Sequence, residues 1–152
     1  MRPITSGLLI IISVACFSQR VYFEDPDLTF SFKKPKNWQV FDNGYVVKVA
    51  PSVSDSAHTY FSITYFESPK PWGEWGFETT PNTDIKTERS NLKIASENAT
   101  YKTDDTEGMI IRNYSFNKYN QRFEIIVSAK RQSFKKLNRV YKRIIRSTRV
   151  NK

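Results

Sequence analysis

The chain has 152 residues, with 24 Lys or Arg against 15 Asp or Glu and a formal charge of +9 at pH 7. Cysteine and histidine each occur once, which excludes a disulfide framework and leaves too few ligands for a typical zinc site. Aromatic residues make up 14% of the chain, and this content favours a sheet-rich core of Phe and Tyr.

The N-terminal residues have the layout of a bacterial export signal. A positive charge at Arg2 precedes an apolar run at residues 8–15, which small and polar residues end. The run is shorter than the roughly 20 residues that span a bilayer. We therefore predict an export signal at residues 1–18, a single domain at residues 19–152, and a periplasmic or extracellular location. In the alternative, Cys16 is lipidated and anchors the protein to a membrane as a lipoprotein.

Several strands are predicted in the first half of the chain. Residues 28–33 alternate apolar and polar side chains, as a half-buried strand does. Residues 38–41 and 45–50 are predicted to form a hairpin, because the Asn-Gly pair at 43–44 readily adopts the positive backbone angles of a tight turn. Residues 60–67, rich in aromatic and β-branched side chains, form a further predicted strand.

The middle of the chain is less regular. Three prolines and two glycines predict a long loop at residues 68–82. Residues 84–94 are predicted as a helix capped by Thr83 or Asp84. Residues 104–108 are predicted as a turn.

The C-terminal part carries the clearest signals. Residues 109–116 and 122–129 are predicted as a hairpin joined by a loop at 117–121. A helix then begins with Ser133 as its N-cap. Apolar residues at a spacing of three and four form one stripe of this helix, which must bury against the sheet. The stripe consists of Phe134, Leu137, Val140, Tyr141, Ile144 and Ile145.

Positive charge is concentrated in this last helix. All acidic residues lie between Glu24 and Glu124, whereas residues 130–152 hold ten Lys or Arg and no acid. The basic face of the helix is therefore a candidate surface for an acidic protein partner, with an anionic membrane surface as a further candidate. An exported location argues against nucleic acid. The candidate partner-binding residues on the helix are Arg139, Lys142, Arg143 and Arg146.

The order of these elements resembles the PsbP/Mog1-like group of small exported domains. A Phe30-Ser31-Phe32 strand is followed by Pro35 and Trp38, and the final helix closes in residues 145–148. The resemblance implies an α+β fold, in which helices flank an antiparallel sheet as an α-β-α sandwich and the C-terminal amphipathic helix packs on the sheet. At the end of the predicted export signal, Cys-Phe-Ser before Gln at residues 16–19 resembles the signal-peptidase sites of Bacteroidetes secreted proteins. Because members of the PsbP/Mog1-like group are mostly assembly factors and accessory subunits, the resemblance to that group implies little chemistry.

A second candidate surface is the aromatic loop in the middle of the chain. Trp72, Trp75 and Phe77 lie among prolines and glycines, and flat aromatic side chains on a stiff loop can anchor a partner or stack on sugars. The alternative is that these side chains cover one end of the sheet. The two interpretations cannot be separated by sequence, so the three residues remain candidate partner-binding residues.

Catalytic and metal sites find little support in the sequence. His58 could pair with Asp55 and with Ser54 or Ser56 as a hydrolase triad, but closeness in sequence does not establish a triad. The acidic turn at residues 104–107 could hold calcium, although its spacing is not that of an EF-hand. We expect no catalytic residue, metal or cofactor, and no enzymatic activity.

These observations predict a non-catalytic binding protein of the bacterial envelope that works as an accessory or assembly factor. One alternative is an immunity-type protein that neutralises a periplasmic effector. Another is a surface module that binds glycans or lipids through its aromatic loop. An enzyme built around His58 is the fourth and weakest hypothesis. The oligomeric state is not predicted.

Overall fold

The computed structural model describes residues 17–25, 28–42, 46–66 and 86–152. These ranges contain ten strands, an α-helix and a short 3-10 helix. The strands are β1 (Phe17–Asp25), β2 (Leu28–Pro35), β3 (Gln39–Asp42), β4 (Val46–Ala50), β5 (Tyr60–Phe66), β6 (Thr87–Arg89), β7 (Thr100–Thr106), β8 (Met109–Lys118), β9 (Gln121–Lys130) and β10 (Arg149–Asn151). The helix α1 is Arg131–Ser147, and the 3-10 helix is Ser54–Ala57.

The larger sheet has seven antiparallel strands in the order β3-β4-β5-β9-β8-β7-β6. Its central strand β9 alternates as the sequence predicted, because one face of the strand is fully buried. The buried residues of that face are Phe123, Ile125, Val127 and Ala129. The hairpin of β8 and β9 is tighter than predicted. Its turn consists of Tyr119 and Asn120, both with positive φ (52° and 63°), the geometry of a two-residue type I′ turn.

The smaller sheet has three antiparallel strands in the order β1-β2-β10. Strand β2 lies in the centre and pairs with β1 on one side and with β10 on the other. Phe30, Phe32 and Val150 point from this sheet into the core. Rings of Phe32 and Phe61 lie 5.0 Å apart between centroids, so the small sheet packs directly on the large one. One hydrophobic core therefore serves both sheets.

Helix α1 packs against β2, β9 and β8 through the predicted apolar stripe. Phe134, Tyr141, Ile144 and Ile145 are buried, and Leu137 and Val140 are partly buried. The hydroxyl of Tyr141 donates a hydrogen bond of 2.5 Å to the backbone oxygen of Ser128 on β9. Burial, and secondarily the charge of Tyr60, raises the pKa of Tyr141 far above its usual value.

These observations confirm an α+β fold with an antiparallel sheet and a C-terminal helix packed on it. They do not show the two helical layers of an α-β-α sandwich, because α1 is the only α-helix within the described ranges. No helix in those ranges is long and apolar enough to cross a membrane.

The predicted helix at residues 84–94 is wrong for its described part, residues 86–94. Thr87–Arg89 form strand β6 instead, which pairs with β7 at the edge of the large sheet. The hydroxyl of Tyr101 on β7 also donates a hydrogen bond to the Glu88 carboxylate. Too few apolar residues recur at helical spacing to bury one side of a helix here. Backbone hydrogen bonding to β7 therefore determines the local structure.

The predicted turn at residues 104–108 is shorter than expected. Asp104 to Thr106 belong to β7, and only Glu107 and Gly108 form the turn, with φ of 54° and 76°. The helix also begins before the predicted N-cap Ser133, at Arg131. The Arg131 amide donates to the Gly108 backbone oxygen at 2.8 Å, so the turn satisfies a free helix-terminal amide without a side-chain cap.

This turn supports a first prediction. A Cβ added at Gly108 would meet no atom within 4 Å, so Gly108→Ala tests backbone strain alone. We expect it to lower the free energy of unfolding by about 1 kcal/mol in urea titration, since the left-handed conformation disfavours side chains. Gly108→Asn is the control and should cost less, because Asn tolerates this conformation. Equal losses for both variants would contradict the explanation.

Candidate partner-binding surface

The solvent-facing side of α1 is a row of cations. From Lys135 to the end of the helix, every exposed residue is Lys or Arg. The apolar stripe fixes this arrangement, because burying one side of a helix leaves the opposite side in water. We call this surface the basic helix face. Its members are Lys135, Lys136, Arg139, Arg143 and Arg146.

Acidic neighbours do not neutralise most of this face. The side chains of Lys135, Lys136, Arg139 and Arg146 form no ion pair with the described residues. Arg131, at the start of the helix, differs because its guanidinium lies 2.5 Å from the Asp105 carboxylate. Like charges three and four positions apart repel one another by a few tenths of a kcal/mol per pair. A negatively charged partner would relieve this repulsion.

The structure places three of the four predicted helix residues on this face. Arg139, Arg143 and Arg146 are exposed there, whereas Lys142 is half-buried at the border of the apolar stripe. The difference follows from the helical repeat, since residue 142 lies three positions before the buried Ile145 and is therefore its neighbour on the helix surface. Lys142 is therefore the weakest member of the predicted set.

A second group of cations lies on the small sheet. Because Phe30 and Phe32 point into the core, strand alternation places Ser31 and Lys33 on the opposite face of β2. Lys33 stands opposite Arg20 of β1 in the strand register. This face of the small sheet is exposed to solvent at Lys33.

The residues opposite Ser31 on the two adjacent strands lie on the same face as these cations. Tyr22 of β1 and Arg149 of β10 stand opposite Ser31 on its two sides. The Arg20 guanidinium donates a hydrogen bond of 2.8 Å to the Ser31 hydroxyl. Tyr22 is 67% exposed. We call this surface the outer sheet face, and its members are Arg20, Tyr22, Ser31, Lys33 and Arg149.

The two surfaces meet at the end of α1. The amide of Lys33 donates to the Ser147 hydroxyl at 2.7 Å, and β10 begins after the single residue Thr148. Thr148 is fully buried, and its hydroxyl donates to the Ile144 carbonyl. The helix end is thus attached to β2 at the position from which Lys33 projects, and positive charge continues from one surface to the other.

A buried lysine shapes the end of β2 next to this surface. Lys34 is 4% exposed, and its Nζ donates a hydrogen bond of 2.6 Å to the backbone oxygen of Trp38. Burial lowers the pKa of Lys34. The contact closes the turn between β2 and β3, so this lysine has a structural position although its neighbours Lys33 and Lys36 are exposed.

The outer sheet face was missed in the sequence because β1 was not predicted. A usable signal was present, since Arg20, Tyr22 and Glu24 alternate with Val21 and Phe23 at the period of a strand. The small sheet also depends on β10, a three-residue strand too short to recognise from sequence.

Several predicted features lie outside the described residues. Trp72, Trp75 and Phe77 are among them, as is the candidate lipidation residue Cys16. Most of the predicted export signal also lies outside. The predicted boundary after Ser18 falls within β1, which begins at Phe17. These assignments remain predictions.

No hydrogen bond within the described part of the chain joins the side chains of the hypothetical triad. The Asp55 carboxylate accepts a hydrogen bond of 2.7 Å from the Ser52 hydroxyl, and the Ser56 hydroxyl donates to the Val53 carbonyl. His58 takes part through its backbone oxygen, which accepts from the Ser128 hydroxyl at 2.9 Å. Its exposed imidazole has no hydrogen bond to the described part of the chain.

Two acidic residues near the β7-β8 turn interact with other residues of the fold. Asp104 accepts a hydrogen bond from the Thr106 hydroxyl, and Asp105 pairs with Arg131. Within the described ranges, no group of three or more His, Cys, Asp or Glu side chains could hold a metal ion.

A scan against protein-family models found no match, and a search of curated proteins found none either. Solved structures do match. This chain is similar to the solution structure of cyanobacterial PsbP (CyanoP) from Synechocystis sp. PCC 6803, at a TM-score of 0.56 and 14% identity, covering 96% of this chain and 99% of that chain. The fold is PsbP-like.

Two further solved structures were also found. A protein from Bacteroides thetaiotaomicron VPI-5482 matches at a TM-score of 0.53 and 19% identity, with 81% of this chain covered and 45% of that one. LpqN of Mycobacterium tuberculosis, described as involved in cell envelope biogenesis, matches at a TM-score of 0.49 and 11% identity over 88% and 91% of the two chains. The similarities to the Synechocystis and Bacteroides proteins show the fold alone.

Proposed function

We propose that this PsbP-like protein is an exported, non-catalytic accessory protein of the bacterial envelope, which binds an acidic surface of a protein partner. The contact is made by the basic helix face. The main support for this contact is that the exposed residues of α1 from Lys135 onward are all cations. Four of them have no ionic partner among the described residues.

The packing of α1 supports a protein surface as the partner. Membrane-bound amphipathic helices insert their apolar face between lipids. In this protein the corresponding stripe is already buried against β2 and β9, with Tyr141, Ile144 and Ile145 fully inaccessible. Only the charges are offered to a partner, and complementary charges speed association and select among partners.

Other observations support the remaining parts of the proposal. Ser52, Asp55 and Ser56 satisfy one another or the backbone, which leaves His58 without the partners that a hydrolase requires. The N-terminal sequence supports export. We also propose that Trp72 and Trp75 contact the same partner and provide an additional anchor.

The proposal predicts that binding depends on the exposed charges of α1. We would replace Lys135, Lys136, Arg139 and Arg146 with Gln and quantify the partner retained from the native envelope by affinity pull-down. Exposed ion pairs contribute about 0.2–1 kcal/mol each, so the four changes should weaken binding by about fourfold to several hundredfold. Added salt should weaken binding to the unaltered protein.

A charge-matched control separates a local contact from overall charge. Lys86, Arg89, Lys93 and Lys102 are also exposed, at the β6-β7 edge of the large sheet, and replacing them with Gln removes the same charge. This variant should bind as the unaltered protein does. The proposal fails if both variants lose the partner equally, or if the helix variant retains it while circular dichroism shows both to be folded.

A further inference from the structure

We propose that the outer sheet face is a carboxylate-binding site that engages an acidic segment of a protein partner, with Arg20 and Arg149 as its cationic residues and Tyr22 as its aromatic anchor. The inference rests on the proposed function in taking an acidic protein as the partner. It adds a second, separately testable place of contact, on different strands from α1.

Arg20 is held in position before a partner arrives. Its Nη1 donates to the hydroxyl of Ser31 at 2.8 Å, and Ser31 is only 7% exposed. A guanidinium carries five N–H donors in a planar fork, so this single contact leaves donors for a carboxylate. Fixing a long side chain in advance reduces the entropy lost on binding.

The strand register places further cations beside Arg20. Lys33 stands directly opposite it, and Arg149 stands across β2 from Tyr22, opposite Ser31. Directly opposed residues on one face have Cβ atoms about 4.5–5.5 Å apart. Like charges in such positions repel one another. Arg20, Lys33 and Arg149 form no ion pair within the described part of the chain, so an external anion is the group that would balance them.

Tyr22 favours a protein partner over a free anion or a lipid headgroup. Its side chain is 67% exposed in the middle of β1, on the side of the sheet away from the core. Tyr and Arg are the residue types enriched at the energetic centres of protein interfaces. A free anion would gain no binding energy from the aromatic ring. Binding to a membrane would require exposed aliphatic side chains, which the residues defined as this face do not include.

The test uses an oligoglutamate peptide as the probe for carboxylate binding, titrated into the ¹⁵N-labelled protein at low salt. We expect amide shifts centred on residues 20–22, 31–33 and 149–151. Arg20→Gln combined with Arg149→Gln should weaken binding by about twofold to thirtyfold. Tyr22→Ser should weaken it about threefold without changing the charge. Lys86→Gln combined with Lys102→Gln, at the far sheet edge, should leave binding unchanged.

The inference fails if the control pair weakens binding as much as the arginine pair, or if the shifts lie elsewhere. Retained binding in the Tyr22 and arginine variants also overturns it. Binding to phosphatidylglycerol vesicles that depends on these residues, without binding of the peptide, would assign the face to lipid. If the four-residue helix variant alone loses the peptide, the proposed function stands and this inference fails. Loss in the sheet variants alone would instead reject the basic helix face.

Discussion

Replacing Phe32 with Ala should lower the free energy of unfolding by about 3–5 kcal/mol, the range for truncating a fully buried aromatic ring. Phe32 is completely buried, and its ring lies 5.0 Å from that of Phe61. The pair joins the small sheet to the large one. Because typical domains are stable by only about 5–15 kcal/mol, this is a large fraction of the total. Urea denaturation followed by circular dichroism measures the change as a lower midpoint.

The control for this prediction lies on the same hairpin. Tyr22→Ser alters an aromatic residue on the opposite face of the small sheet, which is mostly exposed, and should change stability by about 0.5 kcal/mol or less. Similar losses for the two variants would mean that the small sheet is not anchored through Phe32. If the stability of Tyr22→Ser is unchanged as expected, any loss of binding in this variant cannot be caused by unfolding.

Replacing Tyr141 with Phe should cost about 1–3 kcal/mol at pH 7. The change keeps the ring, which packs against Trp38 and Phe134, and removes the hydroxyl that donates to the Ser128 carbonyl at 2.5 Å. A buried carbonyl that loses a partner carries a desolvation cost of this order. Urea denaturation of the variant at pH 7 measures it, and the exposed Tyr119→Phe change should have almost no effect.

The same substitution predicts a change in alkaline stability. Burial raises the pKa of Tyr141 above the value of about 10 that tyrosine has in water, so the folded state keeps the phenol proton at pH values where the unfolded chain releases it. This contribution to stability is complete below pH 10 and is lost as pH rises beyond it, by up to about 1.4 kcal/mol per pH unit. Tyr141→Phe should therefore show a shallower loss of stability between pH 10 and 11. Equal slopes for the two proteins would refute the explanation.

The strongest sequence patterns predicted their elements well. Strands β8 and β9 and helix α1 are rich in apolar residues at the right period, and their pattern states both the element and its buried face. The ends were less accurate. The turn at Tyr119 and Asn120 and the helix start at Arg131 depend on backbone contacts, such as that of the Arg131 amide with Gly108, which sequence patterns do not reveal.

Short edge strands were beyond prediction from the sequence. Strand β6 has three exposed residues, Thr87–Arg89, and owes its conformation to the partner strand β7. Strand β10 is equally short and pairs with β2 across most of the chain length. A strand of this kind has no local stability, because its hydrogen bonds come from residues distant in sequence.

The sequence by itself determined the main strands β2, β5, β8 and β9, the apolar stripe of α1 and the concentration of positive charge in the last part of the chain. Those features are local, since composition and a helical repeat decide which residues share a face. Only the tertiary structure decided that Arg20, Lys33 and Arg149 share a face with Tyr22, and that this face adjoins the end of α1. Strands β1, β2 and β10 come from opposite ends of the chain, and their register is set by pairing and by burial of Phe30, Phe32 and Val150 in the common core.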